Sequence, residues 1–242
     1  MDDLYSFTLN SVTLSLFQKQ DLLTERMASI NQDYARPPPA YTKTVKEVDI
    51  LLLGSPGTGK STFLARLPQV QAERVTRNLP IKRIDLERRP FSFNVSLFNR
   101  PYTFHIWPST STLFTDPFPD CPRFVIITFD ISDRASLYNA EKYWRKQFMV
   151  HYEELEHSTP VMLLGLKRDL RTDEIDEQGQ YVCVMPEEGF KAAIEMRCDK
   201  YAECSALTGE LLWEAVEDVT RTAARTTTEK GGLSDGPGCS IM

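Results

Sequence analysis

A chain of 242 residues that is 41% hydrophobic and 26% charged has the apolar content for one good-sized core, with length left over for extensions. Its formal net charge of −6 presents no broad positive field to a nucleic-acid backbone, so small molecules and proteins are the expected partners and nucleic acid is not. The cysteines, Cys121, Cys183, Cys198, Cys204 and Cys239, are odd in number and form no CxxC pair, which argues against a disulfide framework and a zinc site and suits a reducing, cytoplasmic setting.

Residues 1–44 read as an extension. Leu16, Leu23, Met27 and Ile30 fall at roughly helical spacing there, as in a short amphipathic helix. The extension closes on a proline cluster, Arg36 to Tyr41, which cannot continue a helix or a central strand and so marks a linker. Within the cluster, Pro38-Pro39-Ala40-Tyr41 has the P-P-x-Y form that docks on WW domains as a polyproline II segment. Pro38, Pro39 and Tyr41 are therefore a candidate partner contact, with a stiff linker as the plainer alternative.

Residues 45–225 read as one α/β domain. Val48 to Leu53 is a near-continuous apolar run, the pattern of a strand buried on both faces, and it leads into a glycine-rich turn with a helix expected from Lys60. Phe91, Phe93, Val95 and Leu97 alternate with polar residues, and Tyr102, Phe104 and Ile106 resume the alternation, which predicts a hairpin. Arg123 to Phe129 and Pro160 to Gly165 are two more buried strands, separated by a helical segment around Tyr138 to His151. A last helix is expected from about Glu210, with Leu212, Val216 and Val219 on one face. Alternation of strands and helices implies a mostly parallel central sheet, helices on both faces, and one antiparallel edge strand from the hairpin. Residues 226–242 are a polar, flexible tail. His105, His151 and His157 form no cluster, and His105 alternates with strand residues, so structural or surface roles are expected of them.

The turn after the first strand, Gly54-Ser55-Pro56-Gly57-Thr58-Gly59-Lys60-Ser61, matches G-x-x-x-x-G-K-[ST] in the strand-to-helix setting that the motif requires. Glycines let the backbone N–H groups surround a phosphate, the helix N-terminus adds a positive dipole, and Lys60 reaches the terminal phosphates. The candidate nucleotide contacts are Gly54, Gly57, Thr58, Gly59, Lys60, Ser61 and Thr62, with Ser61 the candidate magnesium ligand.

Five further segments point to a family. Leu166-Lys167-Arg168-Asp169 resembles the guanine-reading N/T-K-x-D element, and Ile131-Ser132-Asp133-Arg134-Ala135-Ser136-Leu137 resembles the segment after the fourth strand. Pro186-Glu187-Glu188-Gly189 resembles the start of the fourth helix, and Glu203-Cys204-Ser205-Ala206-Leu207 resembles the E-C-S-A-K loop. Cys239-Ser240-Ile241-Met242 has the form of a prenylation box. In kind and order these resemble the small GTPases of the Ras superfamily, nearest the Rho branch, over about residues 45–225 and the last four. The resemblance implies the P-loop NTPase fold and GTP or GDP with Mg2+ as ligands. It implies that Asp169 reads guanine while Lys167 lies along the base, and that the Ser205 and Ala206 backbone contacts it. It also implies effector and regulator partners, and reversible membrane association through lipidated Cys239.

The departures from the family pattern fall on hydrolysis first and on two base contacts as well. Where the family has D-x-x-G-Q after the third strand, Ile106-Trp107 is followed by Pro108-Ser109-Thr110-Ser111-Thr112. Pro108 stands at the magnesium-associated aspartate, Ser111 at the glycine that senses the γ-phosphate, and Thr112 at the glutamine that orients the attacking water. Thr76 is the only nearby threonine for the magnesium-closing role. Leu166 and Leu207 replace the Asn and Lys of the two base elements, and the stretch between Leu170 and Pro186 is shorter than the typical Rho insert. The expectation is a guanine-nucleotide-binding signalling protein with a weakened magnesium site, no identified catalytic residue, and slow or absent hydrolysis. A pseudo-GTPase scaffold that holds no nucleotide is the alternative. An active enzyme using an acid elsewhere, Asp85 or Asp116, is a third possibility.

Overall fold

The apolar run that ends in the glycine-rich turn is the central strand of the protein. In the computed structural model, which describes residues 45–72, 84, 88–97, 100–155 and 158–227 (backbone only for 69–72), β1 spans Lys46–Leu53. It pairs in parallel with β3, Arg100–Pro108, on one side and with β4, Phe124–Asp130, on the other. Beyond β4 lie β5, Val161–Leu166, and β6, Lys200–Glu203, both parallel; β2, Phe91–Leu97, is the antiparallel edge. The sheet order is β2-β3-β1-β4-β5-β6. A largely parallel sheet with one antiparallel edge strand is the architecture expected from the alternation of elements.

Period-2 alternation along β1 explains why it is apolar on both faces. Ile50 and Leu52 join one core with Phe63, Leu64 and Leu67 of α1 (Lys60–Ala72) and with Leu212, Val216 and Val219 of the C-terminal helix. Leu51 and Leu53 join the opposite core with Val125, Ile127, Trp144 and Phe148. The predicted hairpin is present, with Phe93 opposite Phe104 and their rings 5.3 Å apart and edge-on. His105 is satisfied across the same hairpin by the Ser92 hydroxyl, 2.7 Å from its Nδ1.

The helical segment before β5 begins earlier than its apolar pattern suggests. Asp133 accepts from the Ala135 amide and caps α2, Arg134–Asn139, which runs on through a π turn, Ala140–Trp144, into α3, Arg145–His151. The next helix, α4, spans Pro186–Glu195, with Glu188 reaching back to accept from the Met185 amide. The last, α5, spans Leu212–Arg225. β6 is a strand that the residue pattern does not announce, because it is short, pairs only with β5, and buries only Tyr201. The extension with Pro38, Pro39 and Tyr41, the tail with Cys239, and the residues Thr76, Asp85 and His157 lie outside the described residues.

Gly189 is held by a close approach of α4 to β6. A Cβ there would lie 2.7 Å from Tyr201 Cζ, and the Tyr201 hydroxyl is already bonded to Glu203. The ring cannot swing away without breaking that bond. Gly189→Ala is therefore expected to lower the urea unfolding midpoint by the equivalent of ~1–3 kcal/mol, the usual cost of overpacking, despite the better helix propensity of Ala.

Candidate nucleotide-binding site

The turn between β1 and α1 exists because three of its residues take backbone angles that side chains oppose. Gly54, Gly57 and Gly59 have φ of +146°, +86° and +104°. Gly54 also lies against β4, where a Cβ would come within 2.7 Å of the Thr128 carbonyl oxygen. The loop folds around one side chain: Lys60 is 4% exposed, and its Nζ donates to the carbonyls of Gly54 at 2.7 Å and Ser55 at 2.8 Å. An ammonium has three donors, so one is left for an anion. Burial pulls the Lys60 pKa down to about 8, against the charge of Asp116, which acts in the opposite direction.

Neighbouring residues fix the loop from behind. The Thr58 hydroxyl donates to Ser55 O and lies 3.2 Å from the Thr128 hydroxyl, which itself donates to Leu53 O. Trp144, buried under the loop, donates from Nε1 to Ser55 Oγ at 3.3 Å. Ser61 and Thr62 are half-buried at the start of α1, and the Ser61 hydroxyl has no hydrogen-bond partner among the described residues.

The base-side residues arrive from the ends of β5 and β6. Lys167 takes a left-handed conformation, φ 61°, and its Nζ donates to Asp130 Oδ2 at 2.6 Å. Its stem and the buried Leu166 flank Gly59, whose added Cβ would lie 3.7 Å from Lys167 Cε and 3.6 Å from Leu166 Cδ1. The two motifs, more than a hundred residues apart in sequence, are thus neighbours. Asp169 accepts a hydrogen bond from Ser205 Oγ, and that hydroxyl accepts in turn from the Thr208 amide, so the carboxylate is oriented before any ligand arrives. Arg66, buried on α1, donates to Ala206 O at 2.8 Å and Leu207 O at 3.1 Å, tying the P-loop helix to the base loop. Arg171 clamps Glu203 through two bonds of 2.7 and 2.6 Å at the end of β6. Neither Arg66 nor Asp130 belongs to a motif, and the only prior signal for Arg66 is a charge on the apolar face of a helix.

On the third side, β3 ends at buried Pro108, and the Ser109 hydroxyl donates to the same Gly54 carbonyl that Lys60 uses. Thr112 is exposed, and the Ser111 hydroxyl is occupied locally with Leu113. Asp116, one of the two acids named as alternatives from the sequence, lies in this segment. Asp116 folds back, with its side chain 5% exposed, and accepts from the Thr110 amide at 2.9 Å and the Thr110 hydroxyl at 2.8 Å while pairing with Arg89. Burial alone would raise its pKa, but the Thr110 and Arg89 donors hold it below the usual carboxylate range. Beyond it, Phe114 stacks on Phe118 and His151, the Phe114 amide donates to the Tyr143 hydroxyl, and the Tyr152 hydroxyl donates to Pro119 O.

P-loop, base-reading segment and rebuilt loop therefore converge at the carboxyl ends of β1, β3, β5 and β6, where open α/β sheets bind ligands. The profile of the Ras family matches residues 49–225. Among curated proteins, the chain is 32% identical over 108 residues to GTP-binding protein RHO2 of Saccharomyces cerevisiae, covering 44% of this chain and 54% of that one. It is 24% identical over 184 residues to Rho-related protein racI of Dictyostelium discoideum, covering 72% and 85%. It is 33% identical over 111 residues to GTP-binding protein rho1 of Schizosaccharomyces pombe, covering 44% and 52%. The matched part spans about half the length of the two yeast relatives. With the P-loop, the base segment and the sheet order all in place, the chain belongs to the Ras family, as a divergent small GTPase with Rho-type relatives.

Proposed function

We propose that this protein binds GTP and GDP as a signalling GTPase and hydrolyses GTP slowly or not at all. The observation that supports binding is the pre-set geometry on both sides of the ligand space: Lys60 buried with one donor in reserve, and Asp169 already oriented by Ser205. Magnesium, when bound, neutralises phosphate charge, and it needs hard oxygen donors. The Ser61 hydroxyl, at the start of α1, fits that need. With Pro108 at the family's aspartate position, the site is weaker than the family's.

Slow hydrolysis follows from what stands around the phosphates. The P-loop amides and Lys60 remain to hold charge, whereas exposed Thr112 is too short to orient a water as glutamine does. A loss of this kind is worth ~2.7–4 kcal/mol, and small GTPases start slow. The second reading, a scaffold without nucleotide, draws on the aromatic anchoring of residues 113–119, which suits a fixed surface better than a switch. Nucleotide content of the purified protein separates the two. Guanine nucleotide is expected in wild type and none in Lys60→Ala; Asp169→Asn should lose guanine more than adenine nucleotides. Single-turnover hydrolysis on loaded protein is expected near or below detection, and turnover as fast as an ordinary family member would refute the slow-enzyme reading.

The Lys60 pKa gives a pH signature with a definite sign. A bound phosphate favours the charged ammonium, whereas the free site releases its proton at about 8. Above that pH, binding must take up a proton, so affinity is expected to fall by up to about tenfold per pH unit. Titration of a fluorescent guanine nucleotide from pH 7 to 9.5 checks this, and a flat profile would contradict the assignment of Lys60.

We further propose effector and regulator proteins as partners, a WW-domain contact through Pro38, Pro39 and Tyr41, and a cytoplasmic protein that associates reversibly with membranes through prenylated Cys239. Among the described residues no helix is long and apolar enough to cross a membrane. A single prenyl chain gives only marginal binding, and the segment before it carries no basic run. Mass spectrometry of the C-terminal peptide is expected to show a prenyl adduct, and a peptide covering residues 36–42 should bind WW domains through Tyr41. An unmodified Cys239, or binding indifferent to Tyr41→Ala, removes the respective reading.

A further inference from the structure

The rebuilt loop after β3 carries one acid that its surroundings keep both buried and ionised. Asp116 lies six residues beyond Thr110, yet the loop returns it to Thr110, whose amide and hydroxyl it accepts. Thr110 follows Ser109, and the Ser109 hydroxyl shares the Gly54 carbonyl with Lys60 Nζ. Two adjacent residues and one shared acceptor thus connect the carboxylate to the lysine of the phosphate loop. The coupling is also electrostatic, since the charge of Asp116 acts on Lys60. No other acid in the segment from Pro108 to Pro122 is comparably placed: the remaining one, Asp120, is exposed.

We infer that Asp116 supplies the acid on this side of the phosphate site, in place of the one that Pro108 cannot provide, and that its carboxylate steadies the hydrated magnesium ion of a bound nucleotide. This rests on the nucleotide-binding reading above. A carboxylate offers about four acceptor positions. Oδ1 takes the Thr110 hydroxyl and the Arg89 ion pair, whereas Oδ2 takes only the Thr110 amide, leaving a position there for a water of the ion's shell. Magnesium keeps several of its waters, so an acid that acts through water need not lie within ligand distance of Ser61. Arg89 has a defined part in this arrangement: it is the counter-ion without which a carboxylate this buried would be costly to keep charged when no ligand is present. The role is one of positioning, and the residue lies outside every motif by which the family is known.

The test is magnesium-dependent retention of nucleotide. Full-length protein is loaded with a fluorescent GDP analogue, and release is followed after a chase of unlabelled GDP, once in millimolar Mg2+ and once in excess EDTA. In wild type, EDTA should accelerate release many-fold. In Asp116→Asn, which keeps the shape but not the charge, release in Mg2+ should speed up while release in EDTA stays near wild type, so that the ratio of the two rates drops by about tenfold or more, the usual cost of losing an outer-shell partner of a metal. Asp116→Glu should restore part of the ratio. Where the single substitution does not fold because Arg89 is left buried and unpaired, Arg89→Gln with Asp116→Asn removes both charges together and should show the same loss. A wild-type ratio in the variants, or equal acceleration in both conditions, overturns the inference and leaves Asp116 as a loop anchor. Failure of wild type itself to retain nucleotide overturns the binding reading along with it.

Discussion

Everything at the ligand end of this fold is arranged around one buried ammonium group. Lys60 is held inside its own loop by two carbonyls, and those carbonyls are available only because three glycines turn the backbone through angles closed to other residues. The Gly54 carbonyl also receives Ser109, which fixes where β3 ends, and the backbone of Gly54 presses on Thr128, which fixes the loop against β4. A charge taken out of water is costly unless it is surrounded by acceptors. The segments that meet here are therefore constrained less by their own propensities than by the need to satisfy this cation.

Much of the fold could be read from residues whose cause is local. β1 declares itself because burial on both faces requires a near-continuous apolar run, and the hairpin because Phe93 and Phe104 alternate with polar neighbours. The P-loop was equally legible, since its chemistry lies in eight consecutive residues. β6 was not, because an edge strand with a single buried tyrosine has no periodic signature over four residues. Thr58, Lys167, Asp169 and Ser205 were legible through motif spacing, and the structure brings Asp169 and Ser205 into direct contact. Arg66, Asp130 and Ser109 were not, because each acts through a partner distant in sequence; Asp116 could be named only as one of two stray acids, because the loop reversal that returns it to Thr110 has no local pattern.

The departures from the family pattern are not scattered. The phosphate loop keeps its full motif and the base segment its Lys167 and Asp169, while the segment after β3 has Pro108 at the leading acid and Ser111 and Thr112 at the glycine and glutamine, followed by aromatics. Leu166, at the position of an amide, fills space beside Gly59 without offering a hydrogen bond. In the family, holding the ligand rests on the loop amides and lysine whereas water attack rests on groups carried by the segment after the third strand, so the altered residues bear on the second task more than on the first.

The aromatic anchoring of that segment bears on recognition as well as chemistry. Phe114 and Phe118 rest on the helical layer, and hydroxyls of Tyr143 and Tyr152 hold the backbone at two points five residues apart. A surface loop fastened in this way has little conformational freedom left to surrender when something docks on it. Association with residues 110–119 would thus avoid much of the ordering cost, ~0.5–1.5 kcal/mol for each immobilised side chain, that a mobile loop imposes on its partner. The shape of the loop is set by the helices beneath it.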